Sequence, residues 1–246
     1  MKYSVIKNVE NHLEIQNEIS LPLWPEFMLH DPVTNKYWSK LFEYFSDDQF
    51  TLKSEGEYIG IANCIPIYWN KPFEELPEEG WDWVFKKGIA DKKKGITPNI
   101  LNGLQIAVNK DHQGKGISSI IIKEMINLAR EKGFDHVTIP VRPSLKSLYP
   151  LTSIDSYIKW KRDDNLPYGP WLRAHARFGG RIIKPCHKAM YIPGTIKEWE
   201  NWTGLKFYES GKYIVKGGLN PVKIDLENNL GEYIEPNVWV LHEVMR

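Results

Sequence analysis

Two glycines bracket a lysine at Gln113-Gly114-Lys115-Gly116, and Ile117 and Ser118 then open a run of helical periodicity. Glycine lets a ligand come close to the backbone because no Cβ stands in the way. The first turn of a helix leaves N–H groups without partners, and its dipole adds partial positive charge there. A glycine turn feeding a helix N-terminus is therefore suited to a phosphate or pyrophosphate, with Lys115 adding a full charge at the rim. The same residues also describe a plain tight turn before a core helix, and spacing alone does not separate the two. Two phosphate motifs are excluded. A P-loop needs a hydroxyl after Gly-Lys, and Gly116 stands there. A dinucleotide fingerprint needs a third glycine, and Ser119 stands there.

The elements that must position this turn are legible on both sides. Leu104 to Val108 is a short apolar run, the pattern of a buried strand, and Asn109 to His112 is a polar turn. Ile117, Ile121, Met125 and Leu128 recur at helical spacing, with Ile122, Ile126 and Ala129 beside them. Gly133 is placed to close that helix in a left-handed cap. The unit is strand, glycine turn, helix.

This unit resembles motif A of the GNAT acyltransferases, [Q/R]-x-x-G-x-[G/A], in Gln113-Gly114-Lys115-Gly116-Ile117-Ser118, with Ser118 replacing the last small residue. The resemblance is strong over residues 100–141 and weaker outside. It implies an α/β fold with a mixed, mostly antiparallel central sheet flanked by helices. That sheet is splayed at its central strand. It implies a site for acetyl-CoA or another acyl-CoA, with the pyrophosphate on the loop from Gln113 to Ser118, Lys115 included. It also implies that backbone amides of Ile106 and Val108 hold the thioester and meet the developing oxyanion.

Acyl transfer further needs a route for protons from the nucleophile to the departing thiolate. Some family members carry a carboxylate on the central strand, but Ile100 to Val108 contains none. Glu78, Glu79 and Asp82 are candidates for a base by location only. Aligning Gly179-Gly180 with the Gly-Phe pair that ends the family's fourth helix puts His175 where the family has its catalytic tyrosine. With an ordinary pKa of about 6.5, a histidine there can carry a proton near neutral pH. The flanking Arg173 and Arg177 point to other faces of the helix. The remaining histidines have no partner at motif spacing, and no His/Cys/Asp/Glu set has metal-site spacing.

The C-terminal half departs from the family pattern by two insertions, about 142–170 and 193–232, rich in Trp, Tyr and Pro. Tyr149, Tyr157, Trp160 and Tyr168 are the residues expected to wall an acceptor pocket. Padding of the open edge of the fold is the equal alternative.

The rest of the chain supplies a first strand over Tyr3 to Val9 and helical pieces at Trp24–Leu29 and Asn35–Phe45. A hairpin follows, Gln49–Ser54 with Tyr58–Trp69, in which Pro66 argues for an edge or bulge. Asn70 to Asn99 reads as a long charged excursion, acidic then basic, that Trp81, Trp83, Val84 and Phe85 fold back onto the body. Later elements are a strand at Asp135–Val141, helices at Ile154–Trp160 and Trp171–Phe178, and a strand at Arg181–Ile192. Thr195-Ile196-Lys197-Glu198 has capping-box spacing, and Val238–Leu241 reads as a late strand.

At 246 residues the chain is read as one domain, 1–246, with its cofactor unit at about 100–141. A formal net charge of +1 gives no global field for nucleic acid or an anionic membrane. There is no signal-peptide core and no apolar run of membrane length, so a cytoplasmic monomer or homodimer is expected. Cys64 and Cys186 read as buried thiols. The expected function is an N-acyltransferase, acetylating an amine of a small-molecule acceptor. The alternative is a noncatalytic acyl-CoA-binding module of the same fold.

Overall fold

The computed structural model describes residues 2–7 and 11–244. Its elements in order are β1 (Ser4–Lys7), α1 (His12–Ser20), α2 (Pro32–Tyr44), β2 (Gln49–Ser54), β3 (Glu57–Ile67), α3 (Gly80–Lys93), β4 (Ile100–Val108), α4 (Ile117–Glu131) and β5 (His136–Val141). Then follow α5 (Ile154–Tyr157), α6 (Pro170–Arg177), β6 (Arg181–Gly194), α7 (Ile196–Thr203), β7 (Gly211–Tyr213), β8 (Val222–Asp225) and β9 (Leu230–Glu243). Asn8 and Val9, expected to extend the first strand, lie outside the described residues. Among the described residues, no helix is long and apolar enough to cross a membrane.

The described strands form one mixed, mostly antiparallel sheet in the order β1-β2-β3-β4-β5-β9-β8-β7, with β6 also pairing β9. Two apolar layers cover its faces. One contains Phe27, Met28, Leu41, Trp81, Phe85, Leu104, Trp199 and Trp239. The other contains Leu101, Ile117, Ile121, Met125, Val137, Ile139, Leu172 and Val240. The Ile/Met/Leu stripe of α4 is buried against the second, as its periodicity requires.

The charged excursion is a correction. Its middle, Gly80–Lys93, is α3, a helix whose Trp81, Val84, Phe85 and Ile89 are buried in the core. The basic half fits a helix end: Lys92 and Lys93 lie in the last turn, where they complement the dipole. Pro66 sits in an interior strand, but the β2 pairing ends at Asn63, so its missing N–H faces no ladder on that side.

The two insertions differ in kind. Residues 193–232 build α7, closed by the Thr195/Glu198 capping box, and the β7–β8 hairpin that extends the sheet beside β9. Trp199 anchors this addition, fully buried with its ring 5.6 Å from Phe27. Residues 142–170 instead form a compact aromatic knot around α5. Replacing Trp199 with Ala empties that anchor and is expected to lower stability by about 3–5 kcal/mol. Urea unfolding measures it, and a loss below 1 kcal/mol would show that α7 is not integral to the core.

Candidate active site

Strand β4 pairs with β3 along its length, but with the parallel β5 only at Leu101–Val137 and Asn102–Thr138. Beyond Asn102 the two strands separate. A bulge at this point helps: Asn63 pairs with Gln105 and Cys64 with Gly103, so Leu104 is an extra residue. The Trp81 indole N–H donates to the Leu104 carbonyl at 2.8 Å and fixes the bulge. After it, Asn109 N–H donates to Ile59 O at 3.1 Å, which marks that register position as a hydrogen-bonded pair. Antiparallel pairs alternate, so Gln105 and Ala107 bond to β3, while Ile106 and Val108 turn their backbone groups to the open side. The Gln113 side chain supports this by donating to Val108 O at 3.4 Å.

The separated strands admit one large cavity of about 1310 Å³ that reaches both faces of the sheet. Ile106, Val108, Gln113, Gly114, Gly116, Ile117 and Ser118 line it. Gly114 and Gly116 have φ of 77° and 78°, the left-handed region, and a Cβ at either would meet nothing within 4 Å. Helix α4 starts directly after Gly116, with no side-chain cap and no acidic residue in its first turn. The turn therefore leaves open space beside unpartnered amides, which fits a phosphate-bearing ligand. Lys115 is exposed on the same loop, outside the lining.

His175 also lines the cavity, on α6, and is 2% exposed. Its Nδ1 lies 2.9 Å from His242 Nε2, and His242 Nδ1 lies 3.3 Å from Phe178 O. A carbonyl only accepts, so His242 carries its proton on Nδ1 and accepts from His175 Nδ1–H; the Nε2 of His175 is left as a bare lone pair. Burial first, then His242, pushes the His175 pKa down to about 3. The expectation of a charged histidine at neutral pH is thus corrected: the resting imidazole is neutral. The partner that sequence spacing missed is His242, 67 residues away on β9.

The expected acceptor wall is a second correction. Tyr149, Tyr157, Trp160 and Tyr168 pack on one another, with ring centroids 4.9–6.4 Å apart, and Tyr149 and Tyr168 join their hydroxyls at 2.9 Å. None lines the cavity. The cavity's aromatic wall is Trp24, Trp38 and Trp81, with Trp171 at the α6 side. Trp38 lies on α2.

Glu78, Glu79 and Asp82 do not line the cavity either. Asp82 is buried, and burial followed by Asp31 raises its pKa to about 8. Glu78 and Asp155 flank His187 at 3.3 and 3.0 Å, away from the cavity. Among the described residues, no Asp or Glu lines the cavity, whereas Lys110, Arg142, Arg173 and Arg177 do.

The fold and the sequence have known relatives. A family model described as acetyltransferase (GNAT) family matches residues 11–151. The chain is 31% identical to an arginine N-acetyltransferase, avaD, of Aspergillus versicolor, over 90% of this chain and 86% of that protein. The loading GNATL domain of CurA from Lyngbya majuscula superposes with a TM-score of 0.66 at 16% identity, covering 99% of this chain and 98% of that one. The GphF GNAT-like decarboxylase, solved in complex with isobutyryl-CoA, gives 0.58 at 13% identity, covering 98% and 100%.

The buried histidine pair has a consequence for stability. In the unfolded chain His175 takes up a proton below about pH 6.5, while the folded state resists until about pH 3. The unfolded state therefore binds more protons across this window. The stability contributed by neutral His175 is complete above pH 6.5 and falls as pH drops toward 3. Urea unfolding at pH 7 and pH 5 is expected to show a larger loss for the wild type than for His175→Phe. Equal losses would contradict a buried neutral imidazole.

Proposed function

Because the chain belongs to the GNAT family of acetyltransferases, we propose that it transfers an acetyl group from acetyl-CoA to the amine of a small molecule. One observation carries the reading. The open-side backbone of Ile106 and Val108, the glycine turn and the first turn of α4 all face one continuous cavity. Acetyl-CoA supplies an acyl group already activated as a thioester.

The residues divide the work by position. Amides from Gly114 to Ser118 receive the pyrophosphate, helped by the α4 dipole. The amides of Ile106 and Val108 serve the extended arm and the carbonyl oxygen of the thioester, fixed in place before chemistry begins. The far end of the cavity, between Trp38, Trp81 and Met28, receives the acceptor.

As the acceptor nitrogen bonds to the acyl carbon and the carbon–sulfur bond breaks, one proton leaves nitrogen and one reaches sulfur. The bare Nε2 of His175 takes the first and delivers it to the thiolate. Neutrality at rest suits this role, since the imidazole must accept before it donates. The growing negative charge on sulfur raises its proton affinity when that matters. His242 and Phe178 O hold the tautomer that leaves Nε2 free.

Two variants test the assignment. Gly116→Leu places a side chain at positive φ in the space reserved for phosphate, and calorimetry is expected to show acetyl-CoA binding lost while the fold persists. Unchanged affinity would make the loop a turn and nothing more. His175→Phe is expected to lower kcat for amine acetylation by about 10² or more, with acetyl-CoA affinity within about threefold of wild type. Near-normal turnover would remove His175 from the proton route.

A further inference from the structure

Arg142 follows directly on β5 and lines the cavity. Its Nε donates to Glu235 Oε1 at 2.5 Å and its Nη2 to Gly217 O at 2.7 Å, and its guanidinium lies 5.6 Å from the Trp24 ring. Nη1 has no partner among the described residues. Glu235 is fully buried and also accepts from the Tyr233 hydroxyl. Lys146, buried as well, donates to Leu219 O at 2.5 Å and feels the same carboxylate. Two bases thus share one acid, and the trio carries a formal excess of +1. Among the described residues, no carboxylate in the cavity lining offsets it.

Beside it stands Asn237, 2% exposed, whose Nδ2 donates to Pro140 O at 3.1 Å. Its Oδ1 is buried without a partner, and the residue lines the cavity. A buried carbonyl oxygen left unpaired costs free energy that a ligand N–H restores.

The subsite lies apart from the phosphate loop. Ile139 and Val141 pack on the α4 side of the sheet, so strand alternation puts Arg142 on the other face, where Trp24 is. That is the face of Trp81 and Met28, the acceptor end.

We propose that Arg142 and Asn237 form a subsite for a carboxylate carried by the acceptor. Arg142 receives the carboxylate, and the Asn237 carbonyl receives an N–H of the adjacent amine. The inference rests on the acetyl-transfer reading for the identity of the other ligand, and makes the acceptor an amino acid or a similar amino carboxylate. A guanidinium clamped by Glu235 and Gly217 presents its remaining N–H groups in a fixed plane, which matches a planar carboxylate better than a mobile lysine does.

The test titrates acceptor pairs into protein saturated with coenzyme A, by calorimetry: L-arginine with agmatine, L-phenylalanine with phenethylamine, and L-leucine with isoamylamine. Each pair differs by one carboxylate. In whichever pair binds, the carboxylate member is expected to bind at least about tenfold more tightly, one charge-assisted contact. Arg142→Gln is expected to reduce that preference below about threefold. Should that variant fail to fold, Asn237→Asp keeps shape and adds repulsion, and is expected to weaken only the carboxylate members.

Equal or tighter binding of the decarboxylated members would overturn the proposal. So would a preference unchanged in a folded variant, or no binding of any carboxylate member. Release of free coenzyme A from acetyl-CoA is followed with the same compounds. Carboxylates that bind without release would count against acetyl transfer and leave the subsite standing.

Discussion

The structure depends on the failure of two parallel strands to stay paired. Strands β4 and β5 meet at Leu101–Val137 and Asn102–Thr138 and then part. An interior strand with one unpaired edge is costly, because buried backbone groups without partners lose the hydrogen bonds that water would give them. The cost is tolerated here because the open edge faces a cavity that a ligand with its own polar backbone can fill. The Leu104 bulge and the Trp81 indole set where the separation begins. The placement of α4, α6 and the acceptor end follows from that point.

Charge is arranged around the opening with one sign. Lys110, Arg142, Arg173 and Arg177 line the cavity without a neighbouring acid among the described lining residues. Such a field attracts phosphates at one face and tolerates a carboxylate at the other. The His175 imidazole in the lining is kept neutral by burial and by His242, so it adds no charge to that field. The buried Glu235 and the Gly217 carbonyl hold Arg142 in a single orientation through its Nε and Nη2 donors.

Local chemistry was readable from sequence, and long-range assembly was not. The Gly114–Gly116 turn and the α4 stripe depend on neighbours within four residues, so spacing reveals them. The Thr195/Glu198 box was legible for the same reason. The roles of Ile106 and Val108 came only through family resemblance, since nothing in an apolar run tells which amides a neighbour leaves free. Aromatic content misled: Tyr149, Tyr157, Trp160 and Tyr168 satisfy one another, whereas Trp24, Trp38 and Trp81 reach the cavity from three separate stretches of chain. His175–His242 and Arg142–Glu235 join residues 67 and 93 positions apart, and no local pattern encodes such pairs. Trp81, Val84 and Phe85 fold the 70–99 excursion onto the body as their apolar character suggested, but the helix α3 that carries them was not read, because charged residues interrupt its apolar stripe.

Amide hydrogen exchange with and without acetyl-CoA tests the central claim most directly. Strand edges left open by the separation exchange freely unless a ligand pairs with them. Saturating acetyl-CoA is expected to slow exchange in peptides covering 105–109 and 114–119 together, with little change in the β2–β3 hairpin. Binding that leaves both segments unprotected would contradict the assignment of the open β4 edge and the glycine turn as the acyl-CoA site.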